Sequence, residues 1–291
     1  MWFFLENNKL NNTILVMPSL LIVLSITAYV ISNTLKESLG LIPELFLNEM
    51  TIKYYVDLFT DKTFVSSLLY SIFVAVISAS LSTVFGTYLG YFISRSKSSF
   101  TNISYRFPIF LSYVAAAALI YNTYSDKGLL YHILQFVGFE INNMNIIYNS
   151  NGLAVILLNM FKGIPFIAFS VYPILLRTEV AYRETAKNLG CTSFMYIIKI
   201  LLPLCKRAIL SSALVIFNYN LFAYEGFYFL GPSNPPSIGV LAYNTYLSPD
   251  MTYRAYGMAI NMIMIVISLV LCFVYYRLLK SEHGVQNENI K

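Results

Sequence analysis

Residues 65–92 read VSSLLYSIFVAVISASLSTVFGTYLGYF, a run without one charged side chain. It is longer than the ~20 residues that an α-helix needs to cross a hydrocarbon core. Backbone groups in lipid must be satisfied within their own segment, so a helix is expected here and not a strand. Gly86 and Gly90 suit close helix contacts in such a setting.

Five further runs outward from this one have the same character, at 13–33, 107–124, 152–176, 207–230 and 255–279. Pro18, Gly163, Pro165 and Pro173 interrupt them, which membrane helices tolerate. The whole chain agrees: 57% of its 291 residues are hydrophobic and 11% charged, against about 25% charged in soluble domains. The expected fold class is all-α, a polytopic membrane protein of six transmembrane helices. Its segments are expected at 1–64 (first helix and outer connection), 65–280 (core) and 281–291 (a short polar tail). The first run continues into Asn33, Thr34, Leu35 and Lys36 without a small-x-small pattern, so a retained helix is expected rather than a cleaved leader.

Orientation follows the basic residues. With both termini in the cytoplasm, the inner segments hold thirteen basic and five acidic residues, the outer ones five basic and eight acidic. The net charge of +5 thus reflects topology and gives no reason to expect a nucleic-acid partner. Cys191, Cys205 and Cys272 form no CxxC pair, and His132 and His283 stand apart, so neither a disulfide framework nor a metal site is expected. Tyrosines such as Tyr54, Tyr88, Tyr105 and Tyr275 fall at span ends, where interfacial belts form.

The stretch 177–206 is too polar to span and too patterned for a plain loop. Thr178 and Glu179 offer a cap and an acidic first turn. Tyr182, Ala186 and Leu189 recur at i, i+4 and i+7. Gly190 stands where a helix-ending glycine would. Thr192 or Ser193 can cap a second short helix ending near Pro203. Read alone, the segment is a helix–turn–helix on the cytoplasmic face, and a membrane-surface amphipathic helix is an equal alternative.

Glu184-Thr185-Ala186, Gly190 and Ile200-x-Leu202-Pro203 keep the spacing of a twenty-residue signature. It resembles the EAA loop of type I ATP-binding-cassette importer permeases, with Thr185 in place of the family's second alanine. Ser67–Ser71, Phe161-Lys162-Gly163-Ile164-Pro165-Phe166 and Tyr224-Glu225-Gly226-Phe227 with Leu230-Gly231-Pro232 are similar to runs in the subgroup serving polyamines, ferric iron, thiamine and phosphonates. The likeness covers about residues 50–280. It implies a MetI-like permease fold, and a translocation pathway for a small solute delivered by an extracellular binding protein. It also implies a second, homologous permease subunit and a separate ATPase dimer that carries the ATP and Mg and docks on Glu184, Thr185, Ala186, Gly190, Ile200, Leu202 and Pro203. The chain itself would be a non-catalytic subunit of the plasma or inner membrane with no cofactor. GxxxxGK[ST] is absent, as are HExxH and GxSxG, which speaks against an ATPase or an intramembrane enzyme. An ion-gradient-driven secondary transporter is the alternative, but no internal repeat and only one membrane acid support it.

That acid is Glu225, and the one membrane base is Lys162. A charge at a helix centre costs about 2.5–3.5 kcal/mol on insertion scales, so each needs a partner or a pathway. Either Glu225 borders the solute route with Asn218 and Asn220, or it sits at the outer end of its helix in water, or Glu225 and Lys162 form an ion pair that fixes packing. For the topology, a cysteine placed at Asn143 should react with an impermeant reagent from outside, and one at Ser98 should not. The reverse labelling would overturn the placement.

Overall fold

The computed structural model describes residues 3–43, 49–96, 99–139 and 145–288; the probe sites Ser98 and Asn143 lie outside them. The described residues form an all-α chain: α1 Phe3–Ser38, α2 Lys53–Thr60, α3 Lys62–Arg95, α4 Ser99–Ser104, α5 Phe107–Phe110, α6 Tyr113–Tyr124, α7 Leu129–Phe136, α8 Leu153–Asn188, α9 Ser193–Tyr196, a π-helical turn Ile197–Leu201, α10 Leu202–Phe222, α11 Glu225–Leu230, α12 Ile238–Tyr246 and α13 Tyr253–Glu288. Five stretches are long and apolar enough to cross a membrane: Val16–Ser38, Lys62–Arg95, Leu153–Thr178, Ser193–Phe222 and Tyr253–Arg277.

The expected third span, 107–124, is not one helix. Phe107–Phe110 is a single turn, Leu111 is extended, and Ser112 caps a new helix by accepting from the Ala115 N–H at 3.1 Å. The expected fifth span also shifts. Helical backbone enters it at Ser193 and leaves it at Phe222, and Ala223 turns the chain into the short α11. Glu225 therefore opens α11, beyond the long helix, instead of interrupting it.

The described chain divides into two compact units. In the first (residues 1–60 and 242–266), Glu37 is almost wholly buried. Its carboxylate accepts from Arg254 Nε at 3.0 Å and Nη2 at 3.2 Å, and from Asn33 Nδ2 at 2.8 Å. The forked guanidinium matches the carboxylate's two oxygens, the geometry that makes such pairs strong. It joins the end of α1 to the start of α13, and the hydroxyls of Ser38 and Tyr55 meet at 2.7 Å beside it. Along the first span, residues 16–30 are exposed and mostly apolar, a surface suited to lipid.

In the second unit (61–241 and 267–291) the central pair is α3 and α8. Gly152 lies against Tyr70, Gly163 against Ser82, Gly86 against Ile164 and Ile167, and Gly90 against Ala168. Both numbers rise together, so the helices run parallel with a constant offset. Small residues let the backbones approach where lipid supplies no hydrophobic drive to associate. A Cβ on Gly86 would sit 2.7 Å from the Ile164 carbonyl oxygen, and one on Gly163 would sit 2.6 Å from Ser82 Oγ. Helix α10 packs on both, its Asn220 donating to Ser78 Oγ at 2.9 Å. Ser71 Oγ accepts the Ile238 N–H at 2.8 Å, tying the first turn of α12 to α3.

This seam leaves little room for a larger side chain. Gly86→Val should cost about 3 kcal/mol or more, since backbone must shift to admit it. Monodisperse protein recovered from membranes should fall several-fold, while Val84→Leu, at an exposed position two residues away on the same helix, should change it little. Equal recovery of Gly86→Val and wild type would contradict the tight seam.

Candidate functional site

Helix α8 runs unbroken from Leu153 to Asn188, through Pro165 and Pro173. The separate helix expected to start at Thr178 does not form. Thr178 lies inside α8, where its hydroxyl donates to the Ile174 carbonyl at 2.8 Å instead of capping. The stop at Gly190 is as the sequence suggests. Gly190 has φ +76°, its N–H donates to the Lys187 carbonyl at 3.0 Å, and the Cys191 N–H donates to the Ala186 carbonyl at 2.9 Å. These two bonds make the Schellman arrangement, which satisfies carbonyls the helix end would leave open. Thr192 then caps α9, accepting from the Met195 N–H at 3.3 Å.

Between α9 and α10 the chain widens into the π turn, where the Leu202 N–H donates to the Ile197 carbonyl. Pro203 follows at once. It has no N–H, and its ring crowds the carbonyl four residues back, which a wider turn relieves. The hairpin closes through Tyr196, which is buried and donates to the Thr178 carbonyl at 3.3 Å. Ala186, Leu201, Cys205 and Leu175 are buried in the same cluster.

The apolar stripe read from the sequence is thus only one-third correct. Ala186 faces inward, whereas Tyr182 and Leu189 are exposed. Ala186, a small residue, packs within the hairpin. Glu184, Thr185 and Gly190 are exposed, Ile200 is half-buried, and Leu202 and Pro203 are exposed. With Phe194 and Met195 also exposed, the hairpin presents large apolar side chains beside a carboxylate, a mixture typical of contact surfaces.

A second feature lies where α5, α6, α8 and α10 meet. A cavity of about 240 Å³ is lined by Tyr113, Lys162, Phe166, Tyr219 and Asn220 among others. Lys162 and Glu225 do not form the expected ion pair. The Lys162 ammonium donates to the carbonyls of Pro108 (2.8 Å), Ile109 (3.2 Å) and Leu111, and stands 5.1 Å from the centre of the Tyr113 ring. Backbone carbonyls freed by the break at Leu111 outcompete a carboxylate on another element. Tyr113 stacks on Tyr219 at 4.8 Å, and the Tyr219 hydroxyl donates to Glu225 at 3.5 Å. Two tyrosines therefore stand between the two charges.

Asn218 and Asn220 line different cavities. Asn220 is buried, lines the cavity and holds Ser78. Asn218 points elsewhere and exchanges hydrogen bonds with Ser268 at 2.8 and 3.0 Å. Sequence reasoning missed Tyr113, Tyr219 and the break. The one local signal was Ser112, an N-cap residue followed by Tyr-Val-Ala-Ala, inside a run that hydropathy alone reads as continuous.

The family described as binding-protein-dependent transport system inner membrane component matches residues 82–281, and the chain belongs to it. It is 23% identical over 208 residues to a probable sulfate transport system permease protein of Prototheca wickerhamii, covering 70% of this chain and 78% of that one. It is 24% identical over 165 residues to a protein of the same description from Chlorella vulgaris, covering 56% of this chain and 59% of that one. A chain in the crystal structure of a bacterial alginate ABC transporter, bound to its periplasmic protein, shares the fold with TM-score 0.75 and 17% identity, over 94% of this chain and 95% of that one. The fold is thus that of ABC importer permeases. Both relatives are described as probable sulfate transport permeases, so the likeness to the polyamine, iron, thiamine and phosphonate subgroup is not upheld.

At Gly190 a Cβ would meet nothing within 4 Å, so a substitution costs only the left-handed strain, about 1–2 kcal/mol. Gly190→Asn should therefore keep slow hydrogen exchange at the Cys191 amide, while Gly190→Val should speed it about tenfold or more. Equal exchange in the two variants would mean that backbone strain does not govern the turn.

Proposed function

We propose that this chain is the membrane-spanning, non-catalytic subunit of an ATP-binding-cassette importer. The observation that carries the reading is the exposed hairpin around Glu184 and Gly190, continuous with two helices that line the membrane cavity. Glu184 would accept charge-assisted hydrogen bonds from a basic groove on a separate ATPase, with Leu189 and Phe194 covering apolar surface. ATP and Mg would bind to that partner. A second, homologous permease would complete the pathway, an extracellular binding protein would deliver the solute, and both termini would lie in the cytoplasm.

For the solute, the sulfate permeases among the relatives favour sulfate or a similar small oxyanion over polyamine, ferric iron or thiamine. The cavity by Lys162 is mostly apolar with a few hydroxyl and amide groups. Such a wall lets a solute pass without holding it, as conduction requires.

The test is reconstitution with a cognate ATPase, a companion permease and a binding protein. ATP-dependent uptake of labelled sulfate, without uptake of putrescine or thiamine, is the expected result. Putrescine uptake instead would overturn the solute and leave the permease reading intact. Glu184→Lys should abolish co-purification of the ATPase and stimulated ATP hydrolysis while membrane insertion stays normal. Normal assembly and hydrolysis in that variant would sink the docking role.

A further inference from the structure

The break at Leu111–Ser112 poses a problem that the side chains around it solve. In a continuous helix the Leu111 carbonyl would accept from the Ala115 N–H. Here that N–H goes to Ser112 Oγ, which leaves the carbonyl of Leu111 without its helical donor. The carbonyls of Pro108 and Ile109, at the end of a one-turn helix, stand in the same position. A backbone carbonyl left unpaired at membrane depth costs several kcal/mol.

An ammonium carries three protons and accepts nothing. Lys162 Nζ meets three acceptors, the carbonyls of Pro108, Ile109 and Leu111. Its proton inventory is therefore fully used. The Tyr113 ring flanks it, with its centre 5.1 Å from the nitrogen. Lys162 and Ser112 divide one missing helical bond between them: the serine takes the donor, the lysine the acceptor.

We infer that Lys162 is a positioning residue, an internal clamp that holds the third membrane segment in its broken form and so sets Tyr113 in the cavity wall, and that it is not a ligand for the transported solute. Its charge is spent on three carbonyl dipoles. The same break starts α6 at the cavity and brings Tyr113 onto Tyr219, so the shape of this wall depends on one ammonium on the facing helix. The inference rests on the geometry of the break and holds whatever solute passes.

Two measurements on the full chain in lipid nanodiscs test it. Hydrogen exchange of the peptide covering 107–116 should rise about tenfold in Lys162→Met, which keeps length and loses every donor, and return to within about threefold of wild type in Lys162→Arg. Exchange in α3 should stay unchanged in both. In the wild-type protein, the Lys162 side-chain protons should exchange far more slowly than those of surface lysines, and their ¹⁵N resonance should not move on addition of sulfate. Unchanged exchange at 107–116 in Lys162→Met overturns the clamp. So do fast side-chain protons in wild type, or a sulfate-dependent shift, which would make Lys162 a ligand; the wild-type measurement decides even where Lys162→Met does not fold.

Discussion

The second unit depends on the near contact of two backbones, α3 and α8, across glycine and serine. Lipid tails are as apolar as leucine, so helices in a bilayer gain little by merely hiding hydrophobic surface from each other. What remains is close van der Waals contact and hydrogen bonding. The chain supplies both along one line: Gly86 against Ile164 and Ile167, Gly163 against Ser82, and Ser78 held by Asn220 from α10. Parallel running of α3 and α8 also fixes where the rest can go. Lys162 is the neighbour of Gly163, so the register that seats Gly163 on Ser82 sets the height at which the ammonium leaves α8.

Around this seam, three of the places where the chain departs from regular helix have their own donors and acceptors. At Leu111 the carbonyls go to Lys162 and an amide goes to Ser112. At Ile197–Leu201 a wider turn accommodates Pro203. At Gly190 the Schellman bonds close the helix end. Backbone that leaves the helix in a membrane protein is tolerated where other groups re-satisfy it. Two of these sites build the hairpin and one builds the cavity wall, so the irregular positions coincide with the candidate functional ones.

This pattern also explains what the sequence disclosed. Gly190 and Thr192 were legible because their effect is local: a positive φ and a side-chain cap involve only neighbours in the chain. The long spans were legible because lipid enforces apolar composition over many residues. Lys162 was legible as an anomaly but not in its partner, since backbone carbonyls leave no mark in the sequence and Glu225 was the only opposite charge in view. Thr178 was misread because a hydroxyl can cap a helix or bond back to the carbonyl four residues earlier, and that choice turns on whether α8 continues. The inward turn of Ala186 needed the position of Tyr196, which closes the hairpin from the far side of the glycine.

The arrangement has a mechanical consequence for the proposed importer. Glu184 and Lys162 lie on the same helix, 22 residues apart, which is about 33 Å at 1.5 Å per residue. Val215, Ile216, Tyr219 and Asn220 line the cavity from α10, the helix that leaves the hairpin on its other side. A displacement of the hairpin would therefore reach opposite walls of one cavity through two connections of different build. On the α8 side the helix is unbroken, but Pro165 and Pro173 lie between the two residues and neither has an N–H for the carbonyl four residues back. On the α10 side the connection passes through the π turn with its i→i+5 bonding. A difference in how the two links yield would turn a push at the hairpin into relative motion of Lys162 against Tyr219 and Asn220, and Tyr113, stacked on Tyr219 and facing the ammonium, lies where that motion would be felt.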